Sequence, residues 1–299
     1  MLQKFYEKNR DLIVNINGNL VHRDKAAISP FDSSVQNGDG VWEGLRLYNG
    51  RVFKLIEHLD RLRSSALALA YPDIPSHDEI IDELKRTFEA NNMTDNVHVR
   101  LTLTRGLKYT SGMDPRVNLG PSTLIILAEH KPPVYDKSGV RLITSGVRRI
   151  PPDCLDQNIH SCNMLNSILA KIQANAANVD DAIMLDMRGF VAETNATHLF
   201  VVYQGVVLTS YTHACPEGIT RATVLEICKK HNIPHEVKDI SMTEVYRADE
   251  VFCTGTMGEL APVTEVDGRT IGNGECGPMT ERLSELYGEL TKSGGYQVL

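Results

Sequence analysis

Residues 130–139 read HKPPVYDKSG, and two prolines and two lysines in ten positions mark this as the stretch where the chain divides. Such a composition suits a linker between domains, and a fresh strand pattern, VRLITSGVR, begins at 140. Length points the same way. With 299 residues the chain is too long for one comfortable core and suits two domains of roughly 100 to 200 residues each. The expected division is an N-terminal domain over 1–131, a linker over 132–139 and a C-terminal domain over 140–299.

The first domain opens with short strands and turns, in which Asn49-Gly50 between alternating apolar runs predicts a hairpin. Apolar residues at three- and four-residue spacing predict a helix over 55–71, ahead of Pro72, and a second one behind a Ser76 cap. VHVRLTLTRG (97–106) and STLIILAEH (122–130) are rich in strand formers. Beyond 140, strands alternate with helices: a helix over about 163–177, strands in DAIMLDMRGFVAETN and HLFVVYQGVVLTS, and a helix from Thr220 to His231. A short strand near HEVKD, a helix in SMTEVYRADE and a strand in EVFCTGT follow. Both halves therefore mix helix with sheet.

Several functions are set aside by composition. A net charge of -7, with basic residues adjacent only in short pairs such as Arg148-Arg149 and Lys229-Lys230, gives no patch to meet a phosphate backbone, so no nucleic-acid partner is expected. The charged N-terminal stretch and the lack of any apolar run near ~18 residues speak against a secretory signal or a membrane span, so the expected compartment is the cytoplasm. Six cysteines without C-x-x-C spacing suggest neither a metal site nor a disulfide framework. Cys162, the candidate nucleophile among them, reads better as a small buried hydrophobe.

Chemistry enters with PEGITRATVLEICKK (216–230), where Gly218-Ile219-Thr220 stand at a helix start. Backbone N-H groups of a first helical turn, joined by the Thr220 hydroxyl, suit an anion, although a threonine that merely caps its helix has the same sequence. Thr254-Gly255-Thr256 forms a second small-residue turn, and Arg61 in EHLDRLRSSA offers a guanidinium. Together these donors suit a phosphate group.

Five blocks now stand in order: EHLDRLRSSA, SCNMLNSILAKIQA, DMRGFVAETNATHLFVV, CPEGITRATVLEI and FCTGTMGELAPV. They resemble the signature blocks of the class IV aminotransferases, the branched-chain and D-amino-acid enzymes, over nearly the whole chain from Ile16 to Pro262. The resemblance implies a mixed α/β (α+β) two-domain enzyme of fold type IV, with a smaller N-terminal α/β domain and a larger, barrel-like C-terminal one. It implies pyridoxal 5'-phosphate, or its pyridoxamine form, as cofactor. Arg61, Gly218, Ile219, Thr220, Gly255 and Thr256 then correspond to the phosphate cradle, and Glu193 to the carboxylate that keeps the pyridine nitrogen protonated. For the substrate, Arg100 and His98 are the leading carboxylate partners, with Arg46 and Arg105 as rivals, while Trp42 and Met257 belong to the pocket. The resemblance also implies a homodimer, with the loop MDPRVNLG (113–120) suited to reach across.

One departure stands out. In the family, the lysine that bonds the cofactor precedes the Asn of an Asn-aromatic-Leu step, here Asn163-Met164-Leu165, and no lysine is found there. One alignment puts His160 in its place and another puts Asn158; Lys171, about two turns into the following helix, is a poor substitute. The cofactor is then expected to be held without a covalent bond. An engineered substitution, a natural pseudoenzyme and an enzyme whose His160 moves the proton all remain open. The expected reaction is amino transfer from an amino acid of branched-chain type to a 2-oxo acid; the alternatives are cofactor binding without turnover and a lyase resembling the aminodeoxychorismate lyases.

Overall fold

A computed structural model describes residues 5–132 and 138–299. Residues 133–137, the middle of the expected linker, lie outside the described residues. The chain runs through β1 (Ile13–Ile16), β2 (Asn19–His22), α1 (Ser33–Asn37), β3 (Gly40–Tyr48), β4 (Arg51–Val52), α2 (Leu55–Ala68), α3 (His77–Ala90), β5 (Val97–Thr104) and β6 (Thr123–His130). It continues through β7 (Val140–Thr144), α4 (Leu165–Ala176), β8 (Asp181–Leu185), β9 (Val191–Thr194), β10 (His198–Tyr203), β11 (Val206–Thr209) and α5 (Ile219–Lys230). The remaining elements are β12 (His235–Val237), α6 (Met242–Tyr246), β13 (Glu250–Gly255), β14 (Glu259–Val266), β15 (Arg269–Thr270), α7 (Pro278–Ser293) and β16 (Tyr296–Gln297).

Two compact units result. The first comprises Lys4–Pro132, Ile159–Asn163 and Thr291–Leu299; the second is built chiefly from Pro133–Asn158 and Met164–Leu290. In the first unit the strands lie in the order β16-β4-β3-β5-β6-β1-β2. Its central hairpin closes across Asn49 (φ 48°) and Gly50 (φ 76°), the left-handed pair that a two-residue turn demands. Helix α3 begins with the expected Ser76 cap, reciprocated by Glu79 in a capping box. Helix α2 stops at Ala68, earlier than the apolar spacing predicts, because the chain turns left-handed at Ala70 (φ 53°) before reaching Pro72.

Alternation along β3 and β5 divides the sheet's two faces. Val41, Leu45 and Leu47 of β3, with Val97, Val99, Leu101 and Leu103 of β5, join Leu55, Leu59 and Leu62 of α2 in one core. Glu43 occupies a position in that apolar row and is fully buried. On the other face, register sets Trp42 opposite Thr102, Gly44 opposite Arg100 and Arg46 opposite His98.

The second unit carries a sheet in the order β12-β11-β10-β13-β14-β7-β8-β9, with β15 on β14. It is mixed: β7 pairs in parallel with β8 and β14, while β10 and β13 are antiparallel. Its core gathers Val140, Leu142, Ile183, Leu199, Val201, Val251 and Val263. The helix expected in SMTEVYRADE is confined to the five residues of α6 behind a Ser241–Glu244 capping box.

Candidate functional site

In the first unit the chemistry gathers around Glu43. Helix α2 presents His58 and Arg61 one turn apart toward β3. Arg61 donates from Nε to Glu43 Oε1 and from Nη2 to Oε2, both at 2.7 Å, and His58 Nδ1 lies 2.6 Å from Oε2. The remaining partner is His160, whose Nδ1 lies 3.3 Å from Oε1. Burial by itself would push the Glu43 carboxyl up, but Arg61 and His160 outweigh it and hold the group well below the usual carboxylate range. Burial pushes the His160 imidazole down, against the opposing pull of Glu43.

Residues 160–162 reach this cluster by pairing with the start of β3. Trp42 N donates to His160 O at 3.0 Å, Cys162 N donates to Gly40 O at 2.8 Å, and Val41 and Ser161 form a bridge. The His160 ring stacks on Trp42 with centroids 4.3 Å apart, and the Arg100 guanidinium sits 3.4 Å from the Trp42 centroid. Asn158 is exposed and its N-H turns back to Asp156 Oδ1, so of the two candidates for the missing lysine's place it is His160 that joins Arg61. Lys171 is engaged by the Asp180 carbonyl and, at 3.0 Å, by Asp181 Oδ1.

On the opposite face of β3 and β5, Arg46, His98 and Arg100 bring basic side chains together. Gly44 leaves room there: a Cβ on it would stand 3.5 Å from His98 Nε2 and 3.6 Å from the Trp42 ring. His98 is 5% exposed, and its Nε2 is a buried atom without a hydrogen-bond partner among the described residues. Burial, helped by Lys131, Arg46 and Arg100, pushes its pKa down to about 3. Arg105, the other rival for a substrate carboxylate, is occupied by Asp39 at 2.6 Å and by the Leu69 and Ala70 carbonyls.

In the second unit Glu193, on β9, is buried against Arg149, whose Nη2 donates to Oε1. Arg149 is itself fixed by Ser167 Oγ at 2.9 Å and the Ala214 carbonyl at 3.3 Å. His198, the first residue of β10, places Nε2 3.8 Å from Glu193 Oε2. Cys215 completes a buried trio with these two, their ligand-type atoms all within 4.8 Å of one another. Arg149 already supplies the positive charge at this carboxylate, and burial holds the Cys215 thiol well above its ordinary range.

The start of α5 adjoins this group, because a Cβ on Gly218 would stand 2.2 Å from His198 Cδ2. Gly218 is the N-cap and makes no side-chain cap; Thr220 lies inside the helix and is buried, so it does not cap it. The first-turn N-H groups are thus left for another acceptor. Thr254 pairs in register with His198 across β10 and β13, and its buried Oγ1 has no partner among the described residues. Gly255, where β13 ends, lies so close to Thr197 that a Cβ would stand 3.2 Å from its methyl, and Thr256 and Met257 follow in the turn.

Sequence reasoning missed four of these groups. Glu43 and His58 carried a signal, an acid inside an apolar strand and a histidine one turn from Arg61. Arg149 was legible only as half of a short basic pair, and His198 only as a strand residue.

Comparison with known proteins bears on the family. The family model described as amino-transferase class IV matches residues 40–266. Branched-chain-amino-acid aminotransferase-like protein 2 of Arabidopsis thaliana is 53% identical over 292 residues, covering 97% of this chain and 52% of its own length, so the chain spans about half of that relative. A putative branched-chain-amino-acid aminotransferase of Methanocaldococcus jannaschii is 41% identical over 287 residues, 95% of this chain and 98% of the relative. Among solved structures, the branched-chain aminotransferase from Thermoproteus uzoniensis with norvaline superposes with a TM-score of 0.86 at 30% identity, covering 95% of this chain and 96% of its own.

Proposed function

The chain belongs to the class IV aminotransferases, and from that membership we propose that it binds pyridoxal 5'-phosphate or its pyridoxamine form without a covalent bond. In this reading it transfers the amino group of a branched-chain-type amino acid to a 2-oxo acid, as a cytoplasmic homodimer. The observation that carries the reading is Glu193, a buried carboxylate held by Arg149 in the same unit as an uncapped helix start and an unsatisfied Thr254 hydroxyl. A phosphate satisfies donors of that kind, and an ionised carboxylate favours a protonated ring nitrogen.

When bound, the cofactor supplies an electron sink for the carbanion left as the substrate Cα loses its proton. The chain's residues do the rest. Glu193 holds a proton on the ring nitrogen, and Arg149 fixes the carboxylate for that task. Gly218, Ile219, Thr220, Gly255 and Thr256 of the second unit would offer backbone and hydroxyl donors to the phosphate. Arg46, His98 and Arg100, with Trp42 beside them, would be the first unit's groups for a substrate carboxylate.

The lack of a lysine in the segment before Asn163, together with the engagement of Lys171 by Asp180 and Asp181, favours a second reading, cofactor binding without turnover. Equilibrium dialysis with pyridoxal phosphate tests binding. Incubation with L-leucine and 2-oxoglutarate then tests turnover: glutamate supports amino transfer, bound cofactor without pyridoxamine phosphate supports the second reading, and pyruvate released from an aminodeoxychorismate-type substrate without an amino acceptor supports a lyase. Absence of binding overturns all three.

A further inference from the structure

We propose that Glu43 is a positioning residue for His160, fixing its tautomer so that Nε2 is the atom that carries the proton during amino transfer. The inference rests on the amino-transfer reading above and names the group that moves the proton where no lysine is present. An ionised carboxylate only accepts hydrogen bonds. Glu43, completely buried and paired with Arg61, is such a carboxylate, so the nitrogen facing it across 3.3 Å, His160 Nδ1, must be the donor. In a neutral imidazole the other nitrogen then carries the lone pair. That nitrogen is Nε2.

Three further contacts hold the ring in place. Its carbonyl accepts from Trp42 N of β3, its N-H is bonded to Ser65 Oγ at 3.1 Å, and its face is stacked on Trp42. The imidazole is not sealed off, since 14% of the side chain remains exposed. A base needs a lone pair in reach, a fixed orientation and a partner that stabilises its charged form. Glu43 and the backbone pairing give His160 the last two of these. The groups that bear on its charge are Glu43 of β3, which favours the imidazolium, and Arg61 of α2, which opposes it, while His58 packs against the same Glu43 and Arg100 against the same Trp42. The proton balance is closed: Nε2 accepts the proton leaving the substrate Cα, the C-H electron pair stays on the carbon side, and the imidazolium, paired with Glu43, gives the proton back to carbon.

The test combines imidazole ¹⁵N NMR on the unaltered protein with exchange of the L-leucine Cα proton in D₂O by the pyridoxal-phosphate-loaded protein. We expect a protonated Nδ1 and an unprotonated Nε2 for His160 near neutral pH, and exchange that rises with pH as the imidazolium is lost. His160→Gln should slow exchange about 10²- to 10⁴-fold, the usual worth of a positioned acid-base group. Glu43→Gln should slow it too and move the inflection to lower pH, and the double variant should be no slower than His160→Gln. Since Glu43→Gln also strips a partner from Arg61, the tautomer in the unaltered protein stands as a separate reading that needs no variant. The inverse tautomer, unchanged exchange in His160→Gln, or cofactor binding with no exchange in the parent overturns the proposal. Failure to bind pyridoxal phosphate at all overturns instead the amino-transfer reading on which it rests, whatever the tautomer.

Discussion

Arg61 meets Glu43 with two parallel hydrogen bonds of 2.7 Å, so the guanidinium expected to grip a phosphate is also the main counter-ion of a fully buried carboxylate. Removing it should therefore have two effects. Arg61→Ala is expected to weaken pyridoxal phosphate binding and to destabilise the fold by about 3 kcal/mol, as when one partner of a buried pair is lost. Equilibrium dialysis and urea unfolding measure the two separately. Unchanged affinity in a folded variant would remove Arg61 from the phosphate site, and an unchanged urea midpoint would deny it the structural role.

Cofactor attachment is the most direct check on the missing lysine. Borohydride reduction followed by denaturation should leave no cofactor on the parent chain. His160→Lys should gain a reducible, covalently fixed cofactor and a rate increase of at least ~10²-fold, because position 160 is the one held beside Arg61 and Glu43. Asn158→Lys should gain neither, since residue 158 is exposed. A reversed pair of results would move the lysine position to 158.

Glu193→Gln is expected to leave pyridoxal phosphate binding largely intact and to slow amino transfer, because a neutral amide no longer favours a protonated ring nitrogen. Its carbonyl oxygen can still accept from Arg149. Single-turnover rates decide the matter: equality with the parent excludes Glu193 from the chemistry.

Gly218→Ala should disturb the second unit through its packing. The added methyl would stand 2.2 Å from His198 Cδ2 and 2.3 Å from Nε2, forcing the ring away from Glu193 or the start of α5 away from β10. Overpacking of this kind costs roughly 1 to 3 kcal/mol. A thermal midpoint equal to the parent's would show that the site yields without strain.

Acid should weaken the fold through its buried imidazoles. His98 is pushed down to about 3, so it stays neutral in the folded protein where unfolded histidines, with pKa ~6.5, take up protons, and His160 is shifted in the same direction. Between those limits the unfolded chain binds more protons, and stability falls as pH drops. For His98 the loss runs from about 6.5 down to about 3. Urea midpoints measured from pH 7 to pH 4 should fall less steeply in His98→Gln than in the parent. Parallel slopes would be inconsistent with a neutral, buried His98.

Much of this fold was legible because its signals are local. The Asn49-Gly50 hairpin, the Ser76 cap and the strand-forming run of β5 each depend on neighbours a few residues away, and all three appear as expected. The family was legible too, since its blocks are contiguous. What escaped were the relations between distant segments. Nothing in IHSCN announces that it pairs with Gly40–Trp42, and Glu43 looks like an interruption of a strand until Arg61, His58 and His160 are brought around it. Thr220 invited a reading as helix cap that Gly218 in fact fills. The stretch after β13 carried no pattern strong enough to predict β14 or α7.

The pairing of β16 with β4 joins Tyr296 to Val52 and Gln297 to Arg51. A strand formed early in synthesis therefore waits for a neighbour some 240 positions downstream, and the segment bearing His160 also comes from well beyond the sheet it completes. During translation the first unit would spend most of its time with one edge open and Glu43 lacking His160. Contacts of such long sequence separation form slowly, and an open strand edge invites pairing with other chains. Until those distant segments arrive, the newborn chain should depend more on chaperone protection than its well-filled core suggests.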